Sequence, residues 1–169
     1  MTLSNTKEFP FSMETAWAAL HKPAMLDVEP GAEVKVISDT KWEAHNDEAK
    51  TVNTYTASFD DEKKVLTIEC ESSAKAGHDF TYLTLKELDA QKVSLEIRIE
   101  INTGVHLIAK ALGAVFAKPM QEIMCKHIYH NFEALCKGTE TKRMSKAELD
   151  DFAKKTFEKK YKIKENITI

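Results

Sequence analysis

Residues 104–136 read GVHLIAKALGAVFAKPMQEIMCKHIYHNFEALC, and the way this stretch folds decides the architecture of the whole chain. Ile108, Leu112, Phe116, Met120, Met124, Ile128 and Phe132 recur every four residues, and Val105, Val115, Ile123 and Leu135 widen the stripe. That spacing predicts one long helix with a broad buried face. At 1.5 Å per residue such a helix is about 50 Å long, against about 30 Å for a nine-residue strand, so it can lie across a whole sheet. Pro119 removes one backbone hydrogen bond and Gly113 adds local weakness, which predicts a bend near 115–118. The bend has a packing reading, a helix following a curved sheet, and a functional one, a hinge or portal for a ligand.

Upstream of this helix the hydrophobic period is two. Residues 3–9 read as a first strand ended by Pro10, after which Ser12 caps a helix over 13–21 with Ala16, Trp17 and Leu20 on its apolar face. Pro23, Pro30 and Gly31 punctuate the next segment, which reads as the rim of a pocket. Val34 and Val36 begin a strand, 41–44 make another, and the polar run 45–50 reads as a turn. Residues 51–59 place Tyr55, Ala57 and Phe59 on one face, and 64–72 place Leu66, Ile68 and Cys70 opposite Glu69 and Glu71. Within 78–88 the facing is ambiguous, since Phe80 and Tyr82 compete with Leu83 and Leu85. The clearest alternation is 92–102, with Val93, Leu95, Ile97, Ile99 and Ile101 set against Ser94, Glu96, Arg98 and Glu100. Short turns between these runs imply an antiparallel meander with one wet and one dry face. The expected fold is therefore α+β: a curved antiparallel sheet of about six to seven strands gripping one long C-terminal helix.

Residues 138–169 read as an extension to a domain formed by 1–137. A polar linker, 138–142, leads to a capping box at Ser145 and Glu148 that opens a helix to about 160, and 161–169 alternate like a strand. The body, 1–136, holds 14 Lys/Arg and 21 Asp/Glu, or -7, whereas 137–169 holds 10 and 6, or +4. An acidic body argues against nucleic-acid binding, which needs clustered cations. The strand-like end can pair with a sheet edge of its own chain or of a neighbour, so a homodimer or a protein partner through the extension is the sharper expectation and docking on its own domain the plainer one. With no run of 18 apolar residues and no signal-like opening, the sequence predicts a soluble, cytoplasmic protein that spans no membrane. Cys70, Cys125 and Cys136 have no CxxC spacing and read as small buried hydrophobes.

A strand, a short helix opening with FPFSMETAW (9–17), a proline-punctuated rim, a strand meander and one long apolar helix together resemble the helix-grip, or SRPBCC/START-like, superfamily. Its members include START lipid-transfer domains, birch-pollen-allergen-like proteins, polyketide cyclases and chaperone-activator domains. The resemblance covers residues 2–137. It implies a seven-stranded sheet around the helix and an apolar small molecule, such as a lipid, polyketide or isoprenoid-like compound, held between them. On that reading Phe116, Met120, Met124 and His127 of the helix face Tyr55, Phe59, Ile68, Leu95 and Ile97 of the sheet, with Trp17 and Tyr82 completing the lining. Methionines adapt to irregular shapes, and Met120 and Met124 beside the Pro119 bend favour a cavity over a filled core.

Signals for chemistry are sparse. The sequence holds no phosphate-binding glycine loop, nucleophile elbow or HExxH, so no cofactor is expected. Cys125, His127 and His130 near Glu122 are the best metal-like cluster, but on a helix Cys125 points away from His130, so no metal site is assigned. His78, His106 and His127, with Tyr55 and Tyr82 as hydroxyl donors, are the acid–base candidates. Glu69, Glu71, Glu96 and Glu100 all fall on wet faces, and the absence of an inward strand carboxylate leans the expectation toward binding, with no catalytic residue assigned. The alternatives are a cyclase or dehydratase-type enzyme and a protein-interaction module of the chaperone-activator type.

Overall fold

The computed structural model describes residues 2–26, 29, 31–74, 76–102, 107–148, 150–151 and 154–155, and for 107–121 it describes the backbone. Strand β1 (Thr2–Phe9) precedes helix α1 (Met13–Leu20) and a single 3-10 turn at Pro23–Met25. Then come β2 (Glu33–Ser38), β3 (Lys41–Asn46), β4 (Thr51–Asp60), β5 (Val65–Ser72), β6 (His78–Asp89), β7 (Lys92–Glu100) and helix α2 (Leu107–Lys137). The seven strands form one sheet in the order β1-β7-β6-β5-β4-β3-β2, every neighbouring pair antiparallel. The expected α+β architecture, a sheet gripping a long helix, is what the chain adopts.

Local chemistry sets the boundaries. The Ser12 side chain accepts the Thr15 N–H at 3.3 Å and starts α1, whose Ala16, Trp17, Ala19 and Leu20 are buried. Lys50 and Lys64, both with positive φ, close the turns before β4 and β5. At the other end of the chain Gly138, at φ 67°, stops α2, and the Thr139 N–H reaches back to the Ala134 carbonyl at 2.9 Å. One expected turn is shorter than its composition suggests: His45 and Asn46 belong to β3, paired with Val52 and Thr51 in register. A 2.8 Å contact between His45 Nε2 and Glu43 Oε2 across one residue of the same strand accompanies that pairing.

Register decides which alternation faces the helix. Leu83 stands opposite both Leu66 and Ile97, and Leu85 opposite Leu95, so the odd-numbered residues of β6 point inward. Phe80 and Tyr82 therefore lie on the convex face, beside Glu69, Glu100, Thr67 and Arg98. The same register puts Glu69, Glu71, Glu96 and Glu100 outside, as the alternation predicts.

The core lies between the inner face of the sheet, from β1, β7 and β6 on to Leu66 of β5, Ala57 of β4 and Trp42 of β3, helix α1 and the second half of α2. Phe9, Phe132 and Tyr129 form an aromatic cluster there, with Phe132 set edge-on to Phe9 at 4.9 Å. Tyr129, beside the four-residue stripe rather than in it, is buried, and its hydroxyl donates to Asn5 Oδ1 at 2.9 Å.

The C-terminal extension is docked from its start. Asn131, fully buried in α2, donates from Nδ2 to the Lys142 carbonyl and accepts the Lys142 N–H at Oδ1, both at 2.8 Å. Met144 is buried with the core cluster, and Lys146 pairs with Glu48 at 2.5 Å, next to Gly31. The expected capping box forms, since Glu148 N–H donates to Ser145 Oγ and Ser145 N–H to Glu148 Oε2. Together with Lys142 these bonds hold the Glu148 carboxyl down to about 2. The strand-like reading of 161–169 lies outside the described residues, as do the residues immediately before the helix at 103–106.

Candidate functional site

The inner face of the sheet is sealed at one end and looser at the other. Along β6 and β7 the inward side chains Leu83, Leu85, Val93, Leu95, Ile97 and Ile99 are at most 3 % exposed. Along β4 and β5, Tyr55, Phe59, Ile68 and Cys70 also face inward by register, yet each is only partly buried. Ala57 and Leu66, inward on the same two strands, are buried, so the partial exposure is confined to those four positions.

This part of the inner face is ordered by stacking. Trp42 of β3 pairs in register with Tyr55 of β4, and their rings lie 5.3 Å apart and 2° from parallel, with Trp42 1 % exposed. Asn53, two residues before Tyr55, shares its face because strand side chains alternate. Over both hangs Glu29, from the rim segment after the 3-10 turn. Tyr55 donates its hydroxyl to Glu29 Oε2 at 2.6 Å, and Asn53 Nδ2 lies 2.9 Å from each Glu29 oxygen. The carboxylate fixes the amide's orientation, since the flipped amide would set oxygen against oxygen. Asn53 Oδ1 is left buried without a hydrogen-bond partner, and such an orphan acceptor costs about 1–3 kcal/mol.

Glu29 and Asn53 escape the sequence reading for different reasons. Strand alternation supplies no inward Glu, and the carboxylate that reaches the inner face comes from a loop whose path no periodicity records. Asn53 was legible, being the next residue on the Tyr55, Ala57, Phe59 face. Asp79 also takes an inward register position, opposite Cys70, and accepts the Asn102 N–H at 2.8 Å.

The other expected lining residues are dispersed. Trp17 and Phe59 meet under α1, rings 5.9 Å apart and edge-on, where Trp17 Nε1 donates to Asp61 Oδ1 at 2.9 Å and His21 stacks on Phe59 at 4.3 Å. Leu95 and Ile97 belong to the sealed core. Met124 packs partly buried against that core. Tyr82 is on the convex face, covered by the Arg98 guanidinium 4.2 Å from its ring, because the register that turns Leu83 inward turns Tyr82 out. The side chains of Phe116 and Met120 lie outside the described residues.

Nor do the acid–base candidates converge. His78 sits on the convex face against Glu69, which holds the imidazole pKa above its usual value. His106 is outside the described residues. His127 lines a separate cleft of about 380 Å³ between α2 and the extension, with Ile123, Lys126, His130, Lys142, Glu148, Asp151 and Lys155. Burial there, aided by Lys142, His130 and Lys126, lowers its pKa. Among the described residues no three His, Cys, Asp or Glu side chains gather as metal ligands. Cys125 is buried in the core, its thiol pushed up to about 11 by desolvation. Of the candidate hydroxyls, Tyr55 alone stands on the inner face.

Neither a family model nor a curated protein matches the sequence. Solved structures do match in fold. A conserved protein from Geobacillus kaustophilus superposes with a TM-score of 0.62 at 11% identity, over 81% of this chain and 96% of that one. The ZhuI aromatase/cyclase from Streptomyces sp. R1128 gives 0.54 at 18% identity, over 82% and 92%. A norcoclaurine synthase point mutant from Thalictrum flavum, in complex with a transition-state analogue, gives 0.53 at 11% identity, over 76% and 94%. Among the described residues no helix is long and apolar enough to cross a membrane. With seven antiparallel strands in β1-β7-β6-β5-β4-β3-β2 order curled against one long helix, and with these neighbours, the chain has the SRPBCC/START-like helix-grip fold.

Proposed function

We propose that the protein binds an apolar small molecule between the inner face of β4 and β5 and helix α2. The observation that carries this reading is the partial exposure of Tyr55, Ile68 and Cys70, which face inward beside the tightly buried inner positions of β6 and β7. Burying apolar ligand surface there is favourable by about 25 cal/mol per Å². The aromatase/cyclase and the analogue-bound synthase that share the fold support it by likeness of architecture. The thiols of Cys125 and Cys136, which form no disulfide, suit a reducing, cytoplasmic setting.

A second reading, an enzyme of the cyclase or dehydratase type, is favoured by the 2.6 Å contact between Tyr55 and Glu29, a hydroxyl and a carboxylate on the one loosely filled face. Of the histidine candidates among the described residues, His78 and His127 both lie away from that face.

Native mass spectrometry of gently purified protein, followed by titration with an apolar fluorescent probe, tests the binding reading. A copurified small molecule, or probe binding at micromolar concentration, is expected. The absence of both a copurified molecule and probe binding would overturn the proposal.

A further inference from the structure

The geometry points to a second binding site, for a phosphoryl dianion, a phosphate monoester or free phosphate, in the cleft of about 380 Å³ between α2 and the C-terminal extension. It is independent of the apolar reading, since among the described residues none of β4 or β5 lines this cleft. Five of the lining side chains carry or can take a positive charge: Lys126, His127 and His130 of α2, with Lys142 and Lys155 across from them. On a helix residue 130 shares a face with 126 and 127, so these three act from one wall. The other wall is fixed at its start, because Asn131 clamps both the N–H and the carbonyl of Lys142 at 2.8 Å. The cleft is thus preorganised and of a size that small molecules fill.

Two carboxylates also line it, and each is already engaged. Glu148 takes the Lys142 ammonium at 2.7 Å through Oε1, and the Ser145 N–H and hydroxyl at 2.9 and 3.0 Å through Oε2. Asp151 takes the Lys155 ammonium at 2.6 Å. Three lysines against two carboxylates leave the lining at +1, or at +3 with both imidazoles protonated. Among the described residues no carboxylate pairs with Lys126, His127 or His130. Burial first, then Lys142, His130 and Lys126, hold the His127 imidazole toward its neutral form, with Glu148 alone opposing them. An anion in the cleft supplies the missing counter-charge. Donor geometry selects its class. The lining has no guanidinium, whose planar fork matches a carboxylate, and offers ammonium and imidazole donors from two walls instead. A phosphoryl group turns three acceptor oxygens toward donors so arranged, and Ile123 leaves an apolar surface for the organic part of an ester.

Calorimetry and imidazole NMR with phenyl phosphate, inorganic phosphate and phenol, at low ionic strength, test the site. Phenyl phosphate should bind at least about tenfold tighter than phenol, which lacks the charge. Lys126→Gln and His130→Gln, both at exposed positions where the fold tolerates change, should each weaken it about twofold to fivefold. Lys86→Gln, the same loss of charge on the convex face of β6, should leave it unchanged. Binding should raise the His127 pKa, so affinity should grow as pH falls from about 8 toward about 6, where the ester itself begins to take up a proton, and His127→Gln should flatten that slope. Tighter binding of the ester than of inorganic phosphate assigns an organic phosphate and equal binding a free one, and either supports a phosphoryl site. Failure of both phosphates to bind at millimolar concentration, or equal weakening by Lys126→Gln and Lys86→Gln, overturns the proposal.

Discussion

Phe132→Ala is expected to lower the unfolding free energy by about 3–5 kcal/mol, enough to bring Tm down by about 10 °C in a chain of this size. Phe132 is 0 % exposed and stands edge-on to Phe9 at 4.9 Å, so truncation opens a cavity at the joint between α2 and β1. Phe9 in turn touches Tyr129 at 5.7 Å, and Tyr129 reaches Asn5 of the same strand. One ring thus anchors the second half of the helix to the sheet edge, and the side chains around it are too interlocked to collapse into the void. Urea titration and thermal melting measure the effect. A loss below about 1 kcal/mol would mean that this joint is loosely packed.

Asn131→Ala should cost about 2–3 kcal/mol and should free the C-terminal extension from the helix. The change removes both partners of the Lys142 backbone, which Asn131 holds at 2.8 Å on each side. Its N–H and C=O then need water at a place where Asn131 itself is 0 % exposed and Met144, two residues on, is buried. Trypsin reports the release, because Lys142 and Arg143 lie in the clamped stretch: cleavage there should rise sharply in the variant while the sheet stays intact. Asn131→Asp keeps the acceptor but sets an oxygen against the Lys142 carbonyl in a fully buried place, and should cost at least as much. Unchanged cleavage in the alanine variant would show that Met144 and the Lys146–Glu48 pair suffice to hold the extension.

The fold was legible because its decisive signals are local. Val93 to Ile99 alternate without exception, Ser12 and Ser145 stand at real caps, and one helix presents a single apolar face. What local pattern cannot settle is a choice between two acceptable alternations. Phe80 with Tyr82 and Leu83 with Leu85 both satisfy a period of two, and only pairing with Leu66, Ile97 and Leu95 selects the leucines. Tyr55 and Ile68 follow as inward residues from strand alternation, and Asn53 continues the Tyr55 face by the same period. Glu29 was not recoverable, since a rim loop's path over the sheet has no sequence period. Asn131 reads as a residue of the wet helix face until the backbone of Lys142 is laid against it.

An apolar ligand is expected to bind against Tyr55 and Ile68 and to leave the β6–β7 half of the sheet untouched. Methyl-labelled NMR spectra recorded during titration with 1-decanol address it residue by residue. The Ile68 methyl signals should shift in proportion to occupancy, and those of Leu95 and Ile97, sealed at 0 % exposure, should stay in place. Shifts confined to Ile123, at the cleft between α2 and the extension, or an Ile68 signal that never moves at saturating probe, would contradict the account.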